Sequence, residues 1–574
     1  MRFAAILLAC LLVPAQAAKN PDTFVYAIVG DVSTLDPHWQ YDGVSAFASE
    51  QVYEGLIGYD GARTDRFIPL LASKVPSRKN GLISKDGRSY TFPIRYGVRF
   101  HNGSPLTPED VRYSLMRSML QDRDAGHAWM LLGPILGVQT TRKNGKPDQT
   151  LYHKAAKAIT VRGNNVTIRL AKPFAPFLSI LPTYGAIISK KYTAAKSGWD
   201  GKPSSWVKHN NPDKQASPLF SEANATGPFM VERWDRRGKT LVLTRNKDYW
   251  RSPANLKRVL IKTIHEFSTR RLMLQGGDAD AIFLDRNFLP QVAGLPGVTV
   301  LDDLPLLETH NAFLFQFDIN VKGNPYTGSG RLDGRGVPSN FFRDKDLRRA
   351  FAHAFPYDEY IRDVYRGKGR RARGPIPYGV FGYDGKTPLY THDLAKAEEF
   401  FKKAHAGKVW RLGFKIGCIY QQGKETRGQA CQILKHVLRR LNPRFQVEVH
   451  GVQWSTYLDL HRKKKLPLVN ARWGLDFPDP HNPIFAFLHS EGTYAKTQGY
   501  HNPQMDSLID AAARATIPAK RQALYKRIQR LAHDELAQIY TLDTVNFRVQ
   551  RSWLKGWDYN PVLESGYLYP VSKQ

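Results

Sequence analysis

Apolar residues along this chain switch again and again between a period of two and a period near 3.6, and few folds accommodate that switching. The clearest instance lies at 88–120. Tyr90, Phe92 and Ile94 alternate with less apolar neighbours, the pattern of a half-buried strand over 88–95. Tyr96-Gly97 turns the chain, and 98–100 reads as the second strand of a hairpin. Thr107 then suits an N-cap, Pro108 the first helical position and Asp110 the reciprocal position of a capping box. The helix predicted over 108–120 buries Val111, Leu115 and Met119. Further strands are predicted over 24–29, 230–234, 241–245, 259–264, 313–317, 411–418 and 445–449. Further helices are predicted over 46–57, 269–275, 344–355, 393–405, 425–441, 505–515 and 519–532. Elements in that order predict an α/β protein. With 574 residues, 42% of them hydrophobic, the chain can bury more than one core and does not read as disordered.

The N-terminus sets the compartment. Residues 1–17 carry Arg2, a short apolar run over 3–13, a breaking Pro14 and the small-x-small site Ala15-Gln16-Ala17. This is the pattern of a cleaved signal peptide, which predicts export to the periplasm. No later stretch holds eighteen unbroken apolar residues, so the mature chain is expected to be soluble. The formal net charge is +32, or +31 once Arg2 leaves with the leader. Such a charge first suggests a polyanion, but export makes nucleic acid an unsuitable partner. Two cysteines remain in the mature chain, Cys418 and Cys431. An oxidising compartment allows them to pair, and two buried free thiols are the alternative.

Motifs for chemistry are mostly missing. There is no Cys-x-x-Cys, His-Glu-x-x-His, Gly-x-Ser-x-Gly or Walker A sequence, and His481, His489 and His501 lack the tight spacing of metal ligands. A binding protein with no cofactor and no metal is therefore favoured over an enzyme. Two basic runs, 366–373 and 461–465, read either as solvated surface or as attraction for an acidic ligand or lipid. One segment differs from the rest, Arg472-Trp473-Gly474-Leu475-Asp476-Phe477-Pro478-Asp479-Pro480. Large aromatics flank Asp476, and a desolvated carboxylate attracts an amine strongly. The alternative is a packed loop in which Asp476 caps a turn.

Taken in order, several blocks resemble the bacterial family 5 extracellular solute-binding proteins, the peptide- and nickel-binding components of ABC importers. They are Leu35-Asp36-Pro37 with Val52-Tyr53-Glu54-Gly55-Leu56, and Tyr90-Thr91-Phe92 through Arg99-Phe100-His101-Asn102-Gly103 and Leu106-Thr107-Pro108-Glu109-Asp110-Val111. Thr226-Gly227-Pro228-Phe229, Arg245-Asn246-Lys247-Asp248-Tyr249-Trp250 and Leu347-Arg348-Arg349-Ala350 follow. The resemblance implies a two-lobed periplasmic-binding-protein clamp with an extra inserted subdomain, closing on ligand. On that pattern one lobe is expected at 18–64, 222–310 and 540–574, the inserted subdomain at 65–221, and the second lobe at 311–539, with crossings near 313–320 and 539–544 as the hinge. The implied function is a periplasmic receptor that captures peptides, oligopeptides above all, and passes them to membrane permease subunits of an ABC importer. The alternative is a relative that binds a metal chelate, sugar or anion. A monomer is expected.

The resemblance also assigns residues. Asp476, three residues after Trp473, matches the position that receives the peptide α-amino group. Backbone around Gly474 and a strand formed by Val32, Ser33, Thr34 and Leu35 would pair with the extended ligand, and Phe477 would help wall the site. Dipeptide-type members place an Arg for the ligand carboxylate in a strand–helix loop. Here that loop is Tyr420-Gln421-Gln422-Gly423-Lys424-Glu425, with no clear equivalent, which favours longer peptides. The basic run 366–373 falls where family members carry a small-residue loop, and it would favour acidic ligands if it bordered the cleft.

Overall fold

The structure is a computed structural model that describes residues 18–124, 126–563 and 566–574. The expected signal peptide lies outside the described residues. Among them, thirteen strands join into one continuous mixed sheet that runs through both halves of the molecule. Its first end is built from Phe445–Val452, Phe414–Gln421 and Leu468–Gly474, which pair in parallel about the middle strand. Glu308–Phe315 and then Leu542–Arg551 continue the sheet. The other end holds Ala281–Ile282, Thr23–Ile28, Arg258–Thr263, Thr240–Arg245 and Phe229–Asp235. Leu542–Arg551 touches both ends: residues 542–544 pair with Gly369–Arg371, while 545–551 pair with Val298–Pro305.

Burial follows the same division. One large apolar cluster draws its buried residues from Leu307 through Leu542. A second draws on Phe24 through Ala281, on Trp553, Leu554, Leu568 and Val571, and on Phe477, which alone reaches it from the middle of the chain. A small third cluster lies around Leu274, Ile282 and Val549.

Local signals placed most elements within a few residues. Helix Pro108–Gln121 carries the complete capping box, Thr107 accepting from the Asp110 N–H and Asp110 accepting from the Thr107 N–H. Helix Glu425–Leu441 has the predicted bounds. Three expectations need correction. The hairpin does not form: Ser89–Pro93 pairs instead with Asn165–Arg169, and 98–100 contributes only a bridge between Arg99 and Pro105. The first helix is Gly43–Val52, starting on an Asp42 cap that accepts from the Ser45 N–H. The strand ending at Cys418 is Phe414–Gln421, because 408–412 is a short helix.

The motif blocks turn out to be joints. Tyr249 and Trp250 donate to the buried Glu54 carboxylate at 2.7 and 2.9 Å. A Cβ at Gly227 would collide with the Val52 carbonyl, so the Thr226-Gly227-Pro228 block can lie against 51–52 only as glycine. Asp36 forms a fully buried bidentate pair with Arg117, at 2.9 and 2.6 Å. Burial alone would raise the Asp36 pKa, but the Arg117 charge and hydrogen bonds outweigh it and hold it at about 2. Arg348 donates to the carbonyls of Phe342, Glu535 and Leu536, tying its helix to the end of helix Pro518–Glu535. Cys418 and Cys431 are disulfide-bonded, with Cα atoms 6.0 Å apart, which settles the pairing left open by the sequence.

Candidate functional site

Strand Leu468–Gly474 lies in the middle of the first half-sheet and delivers the aromatic-flanked segment from its C-terminal end. The C-terminal ends of parallel strands are where open α/β sheets place their ligands. Asp476 follows two residues later and reaches the opposite half of the molecule. Its Oδ1 accepts from the hydroxyls of Tyr41 and Tyr184, both at 3.0 Å. Its Oδ2 accepts from Asn482 Nδ2 at 2.9 Å. Asn482 is held in turn: its Oδ1 accepts from Trp473 Nε1 at 2.7 Å and from the Asp476 N–H at 3.2 Å. Every donor to Asp476 is neutral, and among the described residues no cation lies within salt-bridge distance of it. Burial pushes its carboxyl up to about 6, against the lowering effect of those hydrogen bonds. Such a group attracts a cation once one arrives.

Around it, Trp473 is half-buried against Phe487 and Tyr494, at ring distances of 5.9 and 5.6 Å. Gly474 is exposed, with no atom within 4 Å of where a Cβ would stand. Phe477 is buried in the N-terminal core rather than facing a ligand, so it anchors the segment across the lobes. The segment 32–35 is not a strand, contrary to expectation. The Ser33 N–H bonds to the Ser45 hydroxyl at 2.9 Å and the Leu35 N–H to the Phe220 carbonyl at 2.9 Å, so no ladder forms. Alternate residues of an extended segment present their amides to opposite sides. The N–H groups of Val32 and Thr34 have no partner among the described residues. Thr34 and Leu35 side chains are buried, Val32 packs on the N-terminal core and the Ser33 hydroxyl is engaged by Asp42 and Ser45, so the unpartnered groups here are backbone amides.

A second polar centre was not recognised in the sequence. Strand Phe414–Gln421 pairs with Leu468–Gly474 only through Cys418–Leu468, Ile419–Val469 and Tyr420–Asn470. Beyond Asn470 that edge, residues 471–474, has no partner strand among the described residues. It runs from the Asp476 end towards the loop before helix Glu425–Leu441. Arg427 stands in the first turn of that helix, 6% exposed. Its one hydrogen bond runs from Nη1 to Gln421 Oε1 at 3.4 Å. Burial first, and the nearby Arg472 charge second, push it down to about 10. Arg427 lies two positions beyond the loop 420–425 that the sequence reading considered, in the helix rather than in the loop.

The basic run 366–373 has other duties. Gly369–Arg371 is a short strand against Leu542–Arg551. Lys368 pairs with Asp302 and Asp303 at 3.0 and 2.9 Å, Arg371 donates to the Tyr390 carbonyl, and Arg370 lies 3.5 Å over the Tyr378 ring.

Comparison with known proteins adds ancestry to this geometry. The family model described as bacterial extracellular solute-binding proteins, family 5 middle, matches residues 66–495. The probable D,D-dipeptide-binding periplasmic protein DdpA of Escherichia coli is 26% identical, over 98% of this chain and 96% of that one. The oligopeptide-binding protein OppA of Bacillus subtilis is 24% identical, over 91% and 88%. Among solved structures, Helicobacter pylori DppA in complex with the peptide STSA superposes with a TM-score of 0.73 at 23% identity, over 96% of this chain and 98% of that one. Bacillus subtilis AppA in complex with a nonapeptide does so with a TM-score of 0.72 at 17% identity, over 96% and 100%. Their shared architecture is the two-lobed binding-protein clamp. This chain belongs to the bacterial extracellular solute-binding proteins of family 5.

Proposed function

We propose that the protein captures peptides between its two lobes and delivers them to the membrane subunits of an ABC importer. The observation that carries this reading is the Asp476 carboxylate. It sits between the lobes, held by Tyr41 and Tyr184 on one side and Asn482 on the other, with neutral donors only. A peptide α-amino group supplies the missing positive charge. The open edge at 471–474 supplies main-chain pairing, and the unpartnered amides of Val32 and Thr34 supply more from the other lobe. Arg427 stands beyond the far end of that edge for the ligand carboxylate. The four residues of that edge span roughly 13 Å, the length of a short extended peptide. The argument against dipeptides falls with the presence of Arg427. Relatives named for dipeptide and oligopeptide binding support the ligand class.

On this reading the lobes are 18–64 with 222–310 and 540–574, and 311–539, with 65–221 as the insert. The separate core clusters support that division. The chain acts as a monomeric receptor, not a catalyst, and reaches the periplasm by its cleaved signal peptide. Calorimetry of Asp476→Ala with free-amine and N-acetylated peptides tests the reading. Loss of a desolvated charge partner costs about 2 kcal/mol or more, so free-amine peptides should weaken at least about 30-fold and acetylated ones little. Equal losses for both, or tight binding of a sugar or metal chelate with none of peptides, would refute it.

A further inference from the structure

The Arg427 end of the cleft holds more positive charge than one terminal carboxylate requires. Three cations converge there. Arg472 is already paired, donating to the buried Glu308 carboxylate at 2.6 Å. Arg427 and Lys424 are not: among the described residues neither has a carboxylate within 4.0 Å. Arg427 is 6% exposed and spends a single long hydrogen bond on Gln421. Lys424 stands at the accessible rim as the N-cap of helix Glu425–Leu441, which has no side-chain cap. The helix therefore turns its positive end to the same spot. Lys424 stands three residues before Arg427, close enough for the Arg427 charge to act on it. The Lys424 ammonium is held below its ordinary value by desolvation first, then by the charges of Arg472 and Arg427, and the Asp285 carboxylate, beyond salt-bridge distance, offsets only part of this. An anion placed beside Lys424 and Arg427 would relieve their repulsion and supply the counter-charge that Asp285 supplies only in part.

Resting on the peptide reading above, we propose that the cleft selects peptides that end in an acidic residue. Arg427 takes the α-carboxylate, and Lys424 takes the side-chain carboxylate of the same terminal Asp or Glu. The preference comes from the strand–helix loop and not from the basic run 366–373, where Lys368, Arg370, Arg371 and Arg373 are engaged elsewhere.

The test is calorimetry on the mature protein with Ala-based di- to tetrapeptides ending in Gln, Glu or Lys, at constant salt. Peptides ending in Glu should bind about 5- to 10-fold tighter than those ending in Gln, and those ending in Lys weaker than both. Lys424→Glu should reverse the order of Glu and Lys; since Lys424 is exposed, an unchanged thermal midpoint would certify its fold. Equal affinities across the three termini, or an order that survives Lys424→Glu, would overturn the proposal and leave peptide binding standing. Failure of every peptide to bind would overturn the peptide reading itself, and this proposal with it.

Discussion

Asp476 is kept charged at neutral pH against its surroundings, and that tension fits the role proposed for it. Its folded-state carboxyl lies at about 6, above the ordinary value of 3.8, because burial outweighs three hydrogen bonds from neutral donors. A carboxyl raised on folding adds stability to the free protein at low pH and loses that contribution as pH rises through about 6. Ligand binding has the opposite sign, because an ammonium group needs the carboxylate form. Peptide affinity should therefore fall as pH drops through about 6 rather than through the ordinary carboxylate range. A calorimetric pH series from 7.5 to 4.5 checks this, and Asp476→Asn should flatten the profile. Asp36 makes the contrast. It too is buried, but the Arg117 guanidinium holds it at about 2, so it remains ionised throughout that series. Both aspartates stand in recognisable motifs. Only their neighbours make one a joint and leave the other without a counter-charge.

At the scale of elements, the strand–helix unit 414–441 carries both the disulfide and the cations to which selectivity is ascribed above. The disulfide joins Cys418 in strand Phe414–Gln421 to Cys431 in helix Glu425–Leu441, enclosing the loop that carries Lys424 and the turn that carries Arg427. With the partners 13 positions apart in sequence, loss of the bond should cost about 3 kcal/mol through chain entropy of the unfolded state. Cys418→Ala with Cys431→Ala should lower the denaturation midpoint in urea accordingly, and reductant should do the same to the native chain while leaving the double variant unchanged. An element can also change partners without changing its own structure. Ser89–Pro93 is a strand as its alternation predicts, yet it pairs with Asn165–Arg169, some seventy residues on, instead of the adjacent 98–100. Alternation reports which face is buried, not which strand lies alongside.

At the scale of the whole molecule, the lobes meet through a few long reaches. Phe477 plants the Asp476 loop in the N-terminal core, Tyr41 and Tyr184 hold its carboxylate, and Lys368 pairs with Asp302 and Asp303 near the crossing strands. A ligand that bridges the two sides adds to these contacts, so it should shift the clamp towards the closed form. Small-angle scattering should show a smaller radius of gyration on adding a bound peptide to the wild type. Asp476→Asn at the same peptide concentration should remain at the ligand-free value. An identical radius with and without peptide in the wild type would contradict closure on ligand.

Most of the elements were legible in the sequence because their causes are local. A capping box, a Pro at the first helical position and a period near 3.6 act over a few residues, which is why helices Pro108–Gln121 and Glu425–Leu441 could be read directly. The order of the motif blocks likewise carried the family, since each block is a joint that the fold requires. The site was legible only at Asp476, where flanking aromatics announced desolvation. The rest depends on groups distant in sequence. Tyr41 and Asp476 are separated by 435 residues, and no periodicity relates them. Arg427 looked like one more cation on an amphipathic helix until the sheet left an open edge leading to it and buried it without a counter-charge. Burial and pairing are properties of the assembled chain. They alone decided which of its many charges would wait for a ligand.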